Sequence, residues 1–495
     1  MICVSIGRSR HRHMMAEHRH LVEEGAQLVE LRLDYIRGPI NIKRLLENRP
    51  CPVVVTCRRE RDGGKFAGTE EERLTVLRMA IAEGVDYVDI EEDIANMVPR
   101  FGNTKRIISY HDFRKTPEDL DGLYGRMACL DSDVIKICTM ATRTHDNLRM
   151  INLVRKAKVP TVGLCMGEIG VPSRILAGKY GSPFTYATFH HERALAPGQM
   201  SFEQMKQVFR YNEINKDTEV FAVIADPIGH SLSPLIHNTA FAKLGMNRVY
   251  LPIRVPREDI TQFMEDAPHL DIKGLSVTIP HKETIMPMLT KVDAAVKGIG
   301  ACNTVVFEDG QRLGYNTDFR AALMSIESSI QEAEGADATL NGRVALVLGS
   351  GGAGRAVAFG LIQSGAHVIV SDGRPQAAER LAAQLGCQKI EWAKRHAVSP
   401  EILCNCTPIG MHPNVDDSPY DKHHMRPHMT IFDAVYNPES TLFIKDARSR
   451  NCRVVTGVEM FVRQACYQFK LFTGDPGPAQ VMQEVIRRSI SAAQY

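Results

Sequence analysis

The run VALVLGSGGAGRA at 344–356 constrains this chain more than any other feature. A short, β-branched apolar stretch runs into glycines, and the glycines run into a helical pattern. Gly349 permits a tight turn, Gly351 lets backbone approach a pyrophosphate, and Gly354 lets the helix pack on the strand. Gly352 and Ala353 complete the turn, and the helix start presents free N–H groups and a positive dipole end. The pattern predicts a Rossmann dinucleotide-binding lobe over 335–475. It begins only after two-thirds of the chain, so the residues before it must carry a second fold and a second chemistry.

At about 150 residues per domain, 495 residues suggest three domains. A formal net charge of +2 points to neither nucleic acid nor an anionic membrane as partner. No apolar stretch reaches membrane-spanning length. The opening MICVSIG reads as a strand, without the basic and apolar regions of a secretory signal. Twelve cysteines in a chain this long do not form a disulfide framework, and a reducing, cytoplasmic setting is expected. Cys3, Cys57, Cys138 and Cys165 read as small core residues, and the Cys404–Cys406 pair lacks zinc spacing. The histidines of HRHMMAEHRH (11–20) read as a solvated helix face, and no metal is expected. Nothing in the sequence fixes an oligomeric state.

Apolar, β-branched runs recur at 2–7, 28–35, 53–58, 87–92, 106–113, 134–140, 161–167 and 185–190. Amphipathic helical patterns such as 71–84 and 145–158 lie between them. Eight strands alternating with helices predict an α/β architecture that opens with a (β/α)8 barrel over 1–212. The polar run NEINKDT (212–218) marks the seam, and a new strand follows at 220–226. The second half reads as a two-lobed α/β module. Its substrate lobe spans 219–325, completed by a helix at 476–495, and its other lobe is the Rossmann lobe.

Barrels carry chemistry at the carboxyl ends of their strands. Glu30, Arg32, Arg58, Glu91, His111 and Lys136 collect there. Lys136 sits among apolar neighbours in DVIKICTM, and burial favours the neutral, nucleophilic amine. That chemistry is a Schiff base with a ketone; the competing reading is a lysine paired with a carboxylate. His111, ending the preceding strand, suits the proton transfers of imine chemistry. Arg58, Arg174 and Gln199 suit a carboxylate and hydroxyls.

The runs ELRLDY, R58-x3-D62-GG, SYHDFRKTP, VIKICTM, VPSR and APGQ together resemble type I 3-dehydroquinate dehydratase over about 1–212. The resemblance implies that Lys136 forms an imine with the C3 ketone of dehydroquinate. His111 then serves as general acid and base, and Glu30, Arg32, Arg58, Asp62, Arg174 and Gln199 bind substrate. Two positions depart from the family pattern. Asp62 stands where a glutamate usually pairs with the histidine, and Leu195 replaces a small hydroxyl residue before APGQ.

In the second half, GHSLSPLIHN (229–238), SVTIPHKE (276–283), GACNTVV (300–306) and GYNTDF (314–319) set hydroxyl and amide groups beside apolar strands. Such groups suit a polyol ligand. Lys282 and Asp318 supply a cation and an anion, fit for giving a proton to a ketone oxygen. With NCTPIGM (405–411), DAVYNP (433–438) and GVEMFVRQA (457–465), these runs resemble shikimate dehydrogenase over nearly all of 219–495. The resemblance implies substrate contacts from Ser231, Ser233, Thr278, Asn303 and Gln464, catalysis by Lys282 with Asp318, and cofactor contacts from Thr407, Tyr436 and Gly457. Ser276 takes a position often filled by asparagine.

Asp372, 18 residues after Gly354, favours NAD, because a carboxylate there bonds a free ribose 2′-OH. Arg374, one place later than in NADP-type members of the family, points instead to a 2′-phosphate and NADP, the expected cofactor. The chain thus reads as a bifunctional enzyme: dehydration of 3-dehydroquinate, then nicotinamide-dependent reduction to shikimate. The competing readings are a broader quinate/shikimate dehydrogenase in the second half and a non-catalytic metabolite-sensing regulator.

Overall fold

In a computed structural model, residues 1–229 and 231–492 are described. The chain divides into two compact units: Met1–His230 with Met246–Ile272, and Ser231–Gly245 with Lys273–Tyr495.

Eight parallel strands build the core of the first unit: β1 (Ile2–Ile6), β2 (Leu28–Arg32), β3 (Val53–Thr56), β4 (Tyr87–Glu91), β5 (Lys105–Asp112), β6 (Val134–Met140), β7 (Thr161–Met166) and β8 (Thr185–Thr188). Their order, β7-β6-β5-β4-β3-β2-β1-β8, returns the last strand to the side of the first. This is the (β/α)8 arrangement, and the strands fall in the stretches their sequence pattern predicts. The strands are buried along nearly their whole length, which is why they read as continuous apolar runs rather than as alternations. The predicted helices run Glu70–Ala82 and His145–Lys156. The first is closed by a capping box in which the Thr69 side chain accepts from the Glu72 backbone N–H.

Beyond the seam, β9 (Glu219–Ala225) and β10 (Arg248–Arg254) pair in parallel within the first unit. The segment that follows β10 is tied to the barrel by charge. The buried Asp259 carboxylate accepts from the Thr144 backbone N–H at 2.7 Å and from Thr144 Oγ1 at 3.0 Å. Asp266 Oδ2 lies 2.8 Å from His145 Nδ1. An anion from elsewhere in the chain thus serves the start of helix His145–Lys156, where N–H groups lack intrahelical partners.

The second unit holds two further groups of strands. In the first, β11 (Ile272–Val277), β13 (Thr304–Glu308) and β14 (Gln311–Tyr315) run antiparallel, with β12 (Lys291–Val292) beside β14. In the second, β15 (Val344–Leu348), β16 (His367–Ser371), β17 (Gln388–Lys389), β18 (Ile402–Asn405), β19 (Thr430–Asp433) and β20 (Arg453–Val455) form a wholly parallel sheet of order β17-β16-β15-β18-β19-β20. The order reverses beside β15, which creates a crevice at the strand ends where dinucleotides bind. The terminal helix, expected over 476–495, is seen as Ala479–Ala492; residues 493–495, and His230 of the 229–238 run, lie outside the described residues.

The histidine-rich helix (His11–Glu23) corrects one expectation. It is not a wholly solvated face: His18 is buried, with Nε2 3.2 Å from Cys51 Sγ. The imidazoles do not converge on one point. His11 accepts from the Asn41 backbone N–H, and His20 packs on Phe189. Burial, aided by Arg49, lowers His18 to about 4. The native state therefore resists a proton that the unfolded chain accepts near pH 6.5, and the stability this confers is lost as pH falls from 6.5 through 4. Denaturant melts at pH 7 and pH 4 should show a smaller loss of stability for His18→Leu than for the wild type. An unchanged loss would place that acid sensitivity elsewhere.

Candidate active sites

One side of the barrel strands converges on a cavity lined by Glu30, Arg32, Arg58, His111, Lys136, Arg174 and Gln199, with Ser5, Cys138, Tyr186 and Leu195 among their neighbours. Register accounts for the convergence. Ser5 faces Glu30, Glu91 faces Ser109, Ser109 faces Lys136 and His111 faces Cys138 on adjacent parallel strands. Alternate residues of each strand therefore point inward together.

Lys136 is 5% exposed and its Nζ lies 2.9 Å from Asp89 Oδ2, 3.6 Å from Glu30 Oε1 and 4.1 Å from the Tyr186 ring centre. This revises the protonation expected from the sequence. Burial alone lowers the amine, but Asp89 and Glu30 outweigh it and hold Lys136 above its ordinary value, as a cation. Asp89 also accepts from Arg58 Nη2 at 2.8 Å and from Ser109 Oγ at 2.6 Å. Arg58 and Lys136 keep it well below the usual carboxylate range against the pull of burial.

His111 has the opposite character. Burial, with Arg58 and Lys136 nearby, drives its pKa well down. Its Nδ1 lies 3.1 Å from Arg58 Nη1. A guanidinium only donates, so Nδ1 accepts and the ring proton of the neutral imidazole sits on Nε2. Phe113 stacks against the same ring, with centroids 6.4 Å apart. The Gly63–Gly64 pair explains itself here. Gly63 has φ +77°, and a Cβ on it would lie 2.2 Å from the Phe113 ring; a Cβ on Gly64 would lie 2.1 Å from the Arg58 carbonyl oxygen. The two glycines let a turn press on the residues that hold His111.

Arg174 is 2% exposed, and its Nε has no hydrogen-bond partner among the described residues. A buried, half-satisfied guanidinium lining a cavity is suited to an anionic ligand. Gln199 Oε1 accepts from the backbone N–H groups of Leu195 and Ala196, shaping the loop that closes this side of the cavity. Arg32 is paired to Asp34 at 2.8 Å. Asp62 does not join the group: it is absent from the cavity lining, and Arg59 Nε holds its carboxylate at 2.6 Å. The shorter side chain is taken up within its own turn, and Arg58 is the group beside His111 Nδ1.

Sequence reasoning missed Asp89, the acceptor that joins Lys136, Arg58 and Ser109. Its signal was there, an aspartate between apolar residues in YVDIEE, two places before the noted Glu91. It also missed Arg73, a fully buried arginine bonded to Glu91 Oε2 at 2.7 Å while Glu91 Oε1 accepts from Arg58. Only the fold brings that helix residue to the barrel strands.

In the second unit, Lys282 Nζ and Asp318 Oδ2 are 2.5 Å apart. Asp318 lies in the first turn of helix Thr317–Glu334, where the Asn316 side chain accepts from the N–H groups of Asp318 and Phe319. Asn303 secures that helix start: its Oδ1 accepts from the Thr317 N–H at 2.8 Å and its Nδ2 donates to Thr317 Oγ1 at 2.9 Å. Gln464 is buried and donates to the Phe461 carbonyl. Gln468, one turn further along helix Gly457–Thr473, was not anticipated. It accepts from Ser276 Oγ at 2.8 Å and donates to the Asn303 carbonyl at 3.2 Å and to Thr304 Oγ1 at 3.0 Å. The i,i+4 spacing from Gln464 was the available clue. Ser233 opens helix Ser233–Lys243 and its N–H meets Ser231 Oγ at 3.4 Å; Thr278 is half-buried just past the end of β11.

The glycine turn fits a dinucleotide. Gly349 has φ +98°, and a Cβ on Gly354 would sit 1.9 Å from the Gly349 carbonyl oxygen. Gly351 is the helix N-cap, and a Cβ placed there would meet nothing within 4 Å. The backbone face is thus open for phosphate, and no side chain caps the Gly352–Gln363 helix. A Cβ on Gly352 would lie 3.0 Å from Lys282 Cδ, so the turn abuts the Lys282–Asp318 pair. Thr407 donates to Asn405 Oδ1, Tyr436 stacks on Phe461 at 4.4 Å, and a Cβ on Gly457 would meet the Val435 carbonyl at 2.2 Å.

Family models match separate stretches of the chain. Residues 2–216 match the family described as Type I 3-dehydroquinase, 223–305 the shikimate dehydrogenase substrate binding domain, 343–426 an NADP oxidoreductase coenzyme F420-dependent family, and 457–487 the Shikimate 5'-dehydrogenase C-terminal domain. A chloroplastic bifunctional 3-dehydroquinate dehydratase/shikimate dehydrogenase from Arabidopsis thaliana is 35% identical over 510 residues, covering 99% of this chain and 84% of its own. The chain belongs to the bifunctional 3-dehydroquinate dehydratase/shikimate dehydrogenase family. For its second half alone, a shikimate dehydrogenase (NADP(+)) from Moorella thermoacetica is 37% identical over 57% of this chain and 97% of that protein. A crystal structure of shikimate dehydrogenase in complex with NADP+ aligns at 34% identity with a TM-score of 0.52, covering 56% of this chain and 97% of that one.

The carboxylate of Asp89 balances two buried cations in the dehydratase half. Asp89→Asn removes that balance and should destabilise the first unit by about 3 kcal/mol, the usual cost of breaking a buried ion pair. Urea denaturation followed by circular dichroism measures it, and an unchanged midpoint would contradict the assignment.

Proposed function

We propose that Lys136 and His111 dehydrate 3-dehydroquinate to 3-dehydroshikimate, and that Lys282 with Asp318 serves the NADP-linked reduction of that ketone to shikimate. The observation that carries the first half is a buried cationic lysine sharing one cavity with a neutral histidine and an under-bonded arginine. Arg174 offers its free donor to the substrate carboxylate, and Glu30, Arg32, Arg58 and Gln199 bound the ring hydroxyls. Neutral His111 accepts the proton that Lys136 must shed before its amine attacks the C3 ketone. The resulting imidazolium protonates the carbinolamine oxygen, which leaves as water as the imine forms. The imidazole then takes a proton from the ring carbon next to the imine and gives it to the departing ring hydroxyl, which leaves as a second water, and hydrolysis of the imine frees the lysine. Asp89 matters throughout, since it stabilises positive charge on this nitrogen both as ammonium and as protonated imine.

In the second half, the open backbone face of the Gly349–Gly354 turn, with Thr407, Tyr436 and Gly457, would hold NADP, which supplies hydride. Ser231, Ser233, Thr278, Asn303 and Gln464 bind the cyclohexene polyol. Lys282 donates a proton to the ketone oxygen as reduction proceeds, and Asp318 holds it in place at the start of a helix. The proposed domains are 1–212 for the dehydratase, 219–325 with the terminal helix 476–495 for the substrate lobe, and 335–475 for the cofactor lobe; the extents of the family matches support them. We place the enzyme in the cytoplasm, a setting consistent with twelve unpaired cysteines. Among the described residues, no helix is long and apolar enough to cross a membrane.

Borohydride added during turnover of dehydroquinate should leave a covalent adduct on the peptide containing Lys136, read by mass spectrometry; an unmodified Lys136 would remove the Schiff-base step. Lys282→Ala should lower kcat for shikimate oxidation by at least about 100-fold while dehydration of dehydroquinate proceeds at the wild-type rate. Equal loss of both activities would contradict the division of labour.

A further inference from the structure

We infer that Ser350, inside the glycine turn, determines which nicotinamide dinucleotide the second unit accepts, by occupying the carboxylate of Asp372. The inference deepens the NADP reading above and rests on it for the identity of the ligand.

In a doubly wound dinucleotide lobe, a carboxylate after the second strand accepts from the ribose 2′-OH and repels a 2′-phosphate. Asp372 stands at that place, directly after β16. Its oxygens are already engaged. Oδ2 accepts from the Ser350 backbone N–H at 2.8 Å, from Ser350 Oγ at 2.6 Å and from Arg374 Nη2 at 3.3 Å. Oδ1 accepts from the Arg374 backbone N–H at 2.8 Å and from Arg374 Nε at 3.2 Å. A carboxylate offers about four lone-pair sites, and five donors share these. The side chain of Asp372 is only 8% exposed, whereas that of Arg374 is 72% exposed.

The consequence is an inversion of what the aspartate signals in the sequence. Its acceptor capacity is turned inward to fix the glycine turn, and its charge is offset by Arg374. Arg374 keeps most of its guanidinium surface in solvent, free to meet a phosphate. Ser350 is the hinge of this arrangement, because it supplies the shortest of the bonds and is the only residue of 349–354 with a hydrogen-bonding side chain. The serine hydroxyl carries one proton, and Asp372 receives it. Without that hydroxyl, four donors remain on Asp372, and the longest of their bonds, from Arg374 Nη2 at 3.3 Å, is the one a ribose 2′-OH displaces, so the carboxylate becomes the 2′-OH acceptor that its position suggests.

The test is calorimetric titration of the full chain, without substrate, with NADP+ and NAD+, which differ only in the 2′-phosphate. Ser350→Ala should tighten NAD+ binding roughly three- to tenfold without tightening NADP+, so that the NADP+/NAD+ affinity ratio falls. Ser350→Thr keeps a hydroxyl and should keep the wild-type ratio. An unchanged ratio in Ser350→Ala, or equal weakening of both ligands, overturns the inference; Ser350→Gly, which also lacks the hydroxyl, gives the same reading if the alanine variant does not fold. A wild-type protein that prefers NAD+ would overturn the NADP reading instead, and the shift in ratio would still decide the role of Ser350.

Discussion

The carboxylate of Asp89 is the centre on which the barrel site depends. It is almost wholly buried, and it receives hydrogen bonds from Lys136, Arg58 and Ser109. Neighbouring strands are thereby fixed to one anion. Removing it would leave Lys136 and Arg58 with only the longer contacts to Glu30 and Glu91, and an under-compensated buried charge is costly. With Glu30, the same anion holds Lys136 protonated, while burial, aided by Arg58 and Lys136, keeps His111 neutral. A proton donor and a proton acceptor are thus poised apart in one cavity by burial and by the charges around them.

The second unit solves a similar problem with different means. Lys282 and Asp318 are less deeply enclosed, and the carboxylate sits at a helix start where backbone N–H groups favour negative charge. The supporting residues are amides rather than ions. Asn316 caps the helix, Asn303 holds Thr317, and Gln468 holds Asn303 and Ser276. Amides donate and accept at once, so a row of them can position a charged pair.

Much of both sites was legible in the linear chain. Periodicity placed all eight barrel strands, because parallel strands buried on both faces must read as unbroken apolar runs. The motifs carrying Lys136, His111, Lys282 and Asp318 were readable because each sets a polar residue within or beside an apolar strand or at a helix start. Asp89 carried the same signal, though its role comes from Lys136, 47 residues on; Arg73 carried none, since its meaning comes from a partner 18 residues away. The histidine-rich helix departs from its pattern at His18, because helical periodicity identifies a polar face but not which of its members the neighbouring segment covers. Asp62, already a departure from the family's glutamate, turns to Arg59, a local contact that competes with the family pairing.

The sequence alone determined the order of folds, the glycine turn and the candidate reactive residues, since these follow from local patterning and from side-chain chemistry. Tertiary structure alone decided their state of charge and their availability. Lys136 is cationic because two carboxylates from other strands reach it, and Asp372 is turned inward because Ser350 and Arg374 claim its oxygens. Burial and hydrogen bonding act through distances that a linear chain does not specify, and these distances decide whether a lysine waits charged and whether an aspartate is free to bind.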